Sequence, residues 1–140
     1  VIEHHLKRKS NYTSNTITPS FPDGIDVEVF DASTLNKMHE MASTNTEKEH
    51  VTYYCYTHPN LFSLYNVMNP LGDKSNLRWT VDCVDDFLFV TKVYEALYSD
   101  SKYFDSDAIY RLLEKTPELL TINSHIKRNY GLNDSMMKDA

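Results

Sequence analysis

Phe21-Pro22-Asp23-Gly24-Ile25-Asp26-Val27-Glu28-Val29-Phe30 is the stretch on which the reading of this chain turns. Proline and the Asp-Gly pair set a turn, and the residues after it alternate as a strand. Side chains alternate across a strand. Ile25, Val27 and Val29 are therefore predicted to point one way, and Asp26, Glu28 and Phe30 the other. Two neighbouring carboxylates repel each other and cost desolvation when buried. Such a pair serves a cation, a set of sugar hydroxyls, or plain exposure to water. A second acid-bearing strand is predicted at Leu77-Arg78-Trp79-Thr80-Val81-Asp82. Together the two strands predict a polar site built on a sheet.

The 140 residues are enough for one domain with a core of its own. A net charge of −6 argues against a general nucleic-acid binder, which neutralises phosphates with clustered Lys and Arg. A single bound nucleotide needs only local donors and stays open. No apolar run approaches the ~20 residues of a membrane helix, and the opening segment does not read as a signal peptide. Cys55 and Cys83 form no CxxC or zinc pattern and are predicted to be buried free thiols. With only 3 glycines, neither GxGxxG nor a P-loop can be built.

Residues 1–9 read as the end of an amphipathic helix, with Ile2, His5 and Leu6 on one face and basic residues in the last turn. No cap precedes it, so the chain is expected to be a piece of something longer. Residues 12–15 have strand propensity. Asp31 or Ser33 is predicted to cap a helix to about Ala42, with Leu35, Met38 and Ala42 inward. Residues 43–46 read as a polar linker. Residues 47–58 read as one helix striped with Val51, Tyr54, Cys55 and His58, ended by Pro59. A strand is predicted over 62–68. A long helix from Asp85 and Asp86 to about Ser99 is predicted to pack through Phe87, Val90, Thr91, Tyr94 and Leu97. Asp105 or Ser106 caps the next helix, with Ile109, Leu112 and Leu113 inward. Thr116-Pro117 starts another, and the polar, Gly-broken tail from Asn129 is expected to be extended or weakly ordered. The alternation suits an α/β layer, and the strands are too few to close its sheet.

Several residues carry a chemical reading beside a plain one. Asp82 ends a strand before a helix, where ligands of open α/β sheets gather; it holds a divalent metal or merely caps the helix. Arg78 grips a phosphate or a sugar carboxylate, or makes a surface ion pair. Asp26 and Glu28 bond sugar hydroxyls or form a solvated edge. His50 is placed in the first turn of the 47–58 helix, where anions bind, or is simply half-exposed. Asn15 offers a polar contact or caps a loop. Trp79, on the opposite face from Arg78, is predicted to be core. The other histidines show no ligand spacing, and no Ser/His/Asp or Cys/His nucleophile set can be argued.

Taken in order, Tyr12-Thr13-Ser14-Asn15, the 21–30 stretch, Glu49-His50-Val51-Thr52 and the 77–82 stretch resemble the spore coat polysaccharide biosynthesis protein F type of cytidylyltransferase. These are relatives of the enzymes that make CMP-linked sialic acid and CMP-linked 3-deoxy-manno-octulosonate. The resemblance runs over nearly the whole chain. Its PDGxDVEVF and LRWTVD segments are specific; its SN and EHVT segments are weak alone.

The resemblance implies an α/β fold of the nucleotide-diphospho-sugar transferase (Rossmann-like) kind, here an incomplete sheet with flanking helices. It implies CMP transfer from CTP to a sugar with magnesium, release of pyrophosphate, a cytoplasmic location and a homodimer. Asp82 matches the metal-binding acid, while Asp26 and Glu28 become sugar-contact candidates. Asn15, His50 and Arg78 are further candidates for substrate contact, with no firm role given by the resemblance. The family's nucleotide site lies in its N-terminal half, whose basic, Gly-containing loop is absent here. Residues 1–140 are thus expected to be a single partial domain, the C-terminal half, inactive alone. The competing reading is a non-catalytic module for dimerisation or protein contact.

Overall fold

The computed structural model describes residues 1–98, 103–129, 132 and 136–138. They fall into two compact units: residues 1–21 and 26–74 with the described residues from Asn129 onward, and residues 22–25 with 75–128. As the sequence predicts, the structure is mixed α/β, with a small three-stranded sheet and flanking helices.

In the first unit α1 (Ile2–Arg8) leads into β1 (Tyr12–Ser14), the middle strand of the order β2-β1-β3. β2 (Glu28–Phe30) runs antiparallel to β1, with Thr13 opposite Val29. β3 (Leu64–Asn66) runs parallel to it, with Thr13 opposite Tyr65. All three β1 residues are buried, and their polar groups are satisfied locally. The Thr13 hydroxyl meets Ser10 Oγ at 2.7 Å and His5 Nδ1 at 3.1 Å.

This is why His5 is the buried residue of α1, whereas Ile2 and Leu6, expected beside it, are exposed. Tyr12, Met38, Tyr54, Cys55 and Phe62 form the core. Burial pushes the Cys55 thiol up to about 11. Cys83, also expected to be buried, is exposed.

α2 (Ala32–Met41) follows Asp31 and buries Thr34 and Met38; Leu35 is more exposed than predicted. The single helix expected over 47–58 is two. Thr44 and Glu47 form a reciprocal capping box that starts α3 (Asn45–Glu49) early, inside the supposed linker. α3 ends at His50, and α4 (Tyr53–Thr57) starts afresh. His50 therefore stands at a helix C-terminus, where carbonyls rather than amides are presented, and the anion-binding placement read for it fails.

The second unit holds a loop over 75–83, then α5 (Val84–Leu97), α6 (Ser106–Lys115) and a 3-10 turn (Pro117–Thr121). Asp105 caps α6 by accepting from the Ala108 amide at 2.9 Å. Phe89, Val93, Leu113 and Leu119 form its core, with Trp79, Ile109 and Leu112 packed against them. Of the α5 residues predicted to pack, Val90 and Leu97 lie against this core, but the centre of the inner face is elsewhere. Asp86, Phe89 and Val93 are buried, while Phe87 and Tyr94 are exposed. Ser99 and part of the tail after Asn129 lie outside the described residues. Among the described residues no helix is long and apolar enough to cross a membrane.

Candidate functional site

The two specific sequence segments meet in the second unit. Asp23 donates its amide to the Leu77 carbonyl at 2.9 Å, and Trp79 returns a bond to the Asp23 carbonyl at 2.7 Å. This single parallel bridge, Asp23 to Arg78, stands where a strand over 77–81 was predicted. Gly24 has φ +104°, and a Cβ there would lie 2.7 Å from the Trp79 carbonyl carbon and the Thr80 amide. Only glycine tolerates both the dihedral and the approach. The Asp-Gly pair thus seats one segment on the other.

Arg78 is the hub. Its Nε and Nη2 fork onto Asp86 Oδ1 and Oδ2 at 2.9 and 2.8 Å. Nη1 reaches Asp23 Oδ2 at 2.9 Å and Nη2 reaches Asp82 Oδ2 at 3.0 Å. This is neither the surface ion pair nor the phosphate grip read from the sequence, because Arg78 is buried and its fork is spent on carboxylates. Asp86, 0 % exposed, also accepts from Thr80 Oγ1, the Asp82 amide and Asn123 Nδ2. Burial alone raises a carboxyl pKa. Here the bonds from Arg78, Asn123, the Asp82 amide and Thr80 outweigh burial and hold Asp86 well below the carboxylate range. The bond to Asp86 in turn pushes Arg78 above its usual value.

Asp82 is the outward end of this network. Its side chain is 71 % exposed, yet it is fixed twice, by Arg78 at the carboxylate and by Asp86 at the amide. Among the described residues no three His, Cys, Asp or Glu side chains gather as a metal site. Magnesium binds through one or two carboxylates, completed by waters and phosphate oxygens. Asp82 fits as one such ligand; Asp86 does not, since its oxygens are occupied within the network.

The other predicted residues lie in the first unit. Asn15 is buried, and its Oδ1 accepts from the Val27 amide at 2.8 Å, between exposed Asp26 and Glu28. Glu28 Oε1 accepts from the Tyr12 hydroxyl and, at 2.7 Å, from Thr52 Oγ1. Tyr12 is fully buried. Burial first, and then the Glu28 carboxylate, push its phenol well above the usual value. The same two causes push Tyr56 up to about 12. Asn15, Glu28 and Thr52 thus gather around β1 and β2, whereas His50 stands at the end of α3.

Sequence reasoning missed Asp23, Asp86, Asn123, Tyr12 and Thr52. One signal was present for Asp86: an acid in helical register with Phe89 and Val93 occupies an apolar stripe, which a carboxylate does only with a partner. Beside Arg78, a half-open cavity of about 60 Å³ is lined by Leu77, Trp79, Phe89, Leu120 and Asn123. Ligand pockets run to roughly 300–1,000 Å³, so this cavity holds no nucleotide.

No family model matches the chain. It is 30 % identical over 128 residues to the uncharacterized protein MJ1063 of Methanocaldococcus jannaschii, covering 91 % of this chain and 51 % of that one. Its structure is similar to that of a cytidylyltransferase from Leptospira borgpetersenii serovar Hardjo-bovis, with a TM-score of 0.77 and 23 % identity. That match covers 85 % of this chain and 50 % of the other. The chain has the fold of the matched part of that cytidylyltransferase, and it spans about half the length of each protein it matches.

Proposed function

We propose that the chain is part of a cytidylyltransferase that transfers CMP from CTP to a sugar, releasing pyrophosphate, in the synthesis of a surface polysaccharide or glycan. The observation that carries this reading is Asp82, an exposed carboxylate immobilised by a buried arginine and a buried aspartate on a cytidylyltransferase-like fold. A sugar hydroxyl attacks the α-phosphorus. The new P–O bond forms as the bond to pyrophosphate breaks, and the hydroxyl proton passes to solvent. Magnesium, when bound, offsets the phosphate charge, with Asp82 as one of its ligands. Arg78 acts here as a positioning residue that holds Asp82. Asn15, Asp26, Glu28 and His50 are proposed to contact the sugar, with Glu28 oriented by Tyr12 and Thr52. A cytoplasmic location and a homodimer belong to the same proposal.

The test uses the protein as its gene encodes it, with CTP, magnesium and candidate nonulosonic and related sugars. Pyrophosphate release with one of them is the expected result; none with any sugar removes the reading. A second reading follows from the matched length: a non-catalytic module that serves dimerisation or protein contact. It predicts no release together with a stable complex in sedimentation.

A further inference from the structure

Glu28 is an exposed carboxylate with one oxygen used and the other open. Its Oε1 accepts both the Tyr12 hydroxyl and, at 2.7 Å, Thr52 Oγ1. Among the described residues nothing bonds to Oε2, and no cation pairs with either oxygen. The charge is felt by its neighbours. After burial, Glu28 is the next cause that pushes up the Tyr12 and Tyr56 phenols and the Cys55 thiol. Lys37 opposes it at Cys55, but its Nζ donates to the Leu61 carbonyl at 3.1 Å and lies over the Phe62 ring. Aromatic rings stand beside the carboxylate. Tyr56 lies 6.3 Å from the Tyr12 ring, centroid to centroid, and meets Tyr53 edge-on at 5.6 Å. Tyr53 and Tyr56 are half-buried, so part of each remains accessible.

These features choose a ligand chemistry. A hydroxyl would bond to Oε2 and leave the charge in place. An ammonium group both bonds and cancels it, through charge-assisted hydrogen bonds, and tyrosine faces attract a cation as well. A carboxylate at the same place would meet like charge. A metal ion fits less well, because among the described residues no three His, Cys, Asp or Glu side chains gather. We infer that the sugar meeting Glu28 carries an ammonium group there and no carboxylate. The substrate is then an amino sugar, and Glu28 is the residue that selects it by charge. The inference rests on the proposed reading of Glu28 as a sugar contact, but it does not need CTP turnover to be tested.

Glucosamine, glucose and glucuronate are titrated, without CTP, into the isotope-labelled protein as its gene encodes it, and the amide shifts of Val29 and Thr52 are followed. Glucosamine is expected to bind on the order of fivefold more tightly than glucose, the upper end for an exposed ion pair, with glucuronate weakest. Glu28→Gln keeps the shape and an acceptor for the two hydroxyls but not the charge. It should bring glucosamine and glucose to equal affinity. Equal binding of those two by the unsubstituted protein, tightest binding of glucuronate, a preference that survives Glu28→Gln, or no shift with any of the sugars overturns the inference. Pyrophosphate release, assayed separately with CTP, decides the functional reading. Release with carboxylate-bearing sugars alone keeps that reading and sinks this inference, whereas an amino-sugar preference without release does the reverse.

Discussion

The chain holds two polar networks that solve the same problem differently. In the second unit, the carboxylates of Asp23, Asp82 and Asp86 are all bonded to the buried Arg78 guanidinium, and Arg128 Nε also approaches Asp23 at 3.7 Å. In the first, among the described residues, Glu28 is held by the neutral hydroxyls of Tyr12 and Thr52. An arginine fork lets a fully buried aspartate stay ionised and become structure. Hydroxyls orient a carboxylate without cancelling its charge, so Glu28 stays available to a ligand. One network is therefore an anchor with a single exposed end, and the other is a presented charge.

Removing the anchor should have the largest effect. Arg78→Ala leaves Asp86 buried and unpaired, and urea denaturation should show a loss of about 3–5 kcal/mol. Arg78→Lys keeps the charge but not the fork and should recover only part of it. A loss within error for both variants would mean the network is not an anchor.

The two networks should also fail at opposite ends of the pH scale. Asp86 has a depressed pKa. Its stabilisation is fully present above the unfolded carboxylate value of about 4 and is lost as pH falls toward the lower folded value. Tyr12 has a raised one. Its contribution is intact below the unfolded value of about 10 and is lost as pH rises above it. Trp79, the chain's single tryptophan, reports the second unit by fluorescence. Its signal should hold down to about pH 4 and change below it. A transition well above that pH would contradict the assignment.

A smaller effect is expected at Glu28. Tyr12→Phe should cost about 1 kcal/mol by thermal melting, at the low end for a bond to a charge, because water can replace the donor at an exposed carboxylate. A cost as large as that of Arg78→Ala would erase the distinction between the networks.

Much of the fold was legible where local chemistry decides it. The Asp105 cap, the Thr116-Pro117 start and the inward face of α6 all follow from short-range rules. α5 misled because it is apolar on two sides, so periodicity alone could not choose its inner face. The 47–58 helix misled because the Thr44–Glu47 box was read as linker. The 21–30 stretch was half right. Glu28, Val29 and Phe30 form a strand, while Asp23 and Gly24 are bound into the loop of Arg78. The site itself was legible as segments but not as contacts. Arg78 meets Asp23 55 positions earlier, and Asp86 meets Asn123 37 positions later, separations that no local pattern encodes.

Asp82→Asn tests the central claim most directly, because Asp82 is the one network carboxylate set in the open. With its side chain 71 % exposed, the variant should lose no more than about 1 kcal/mol of stability. Pyrophosphate release from CTP by the protein as its gene encodes it, measured beside the melting curve, should be abolished while the melt shifts by no more than that small loss implies. Release at the unsubstituted rate from an equally stable protein would contradict the account.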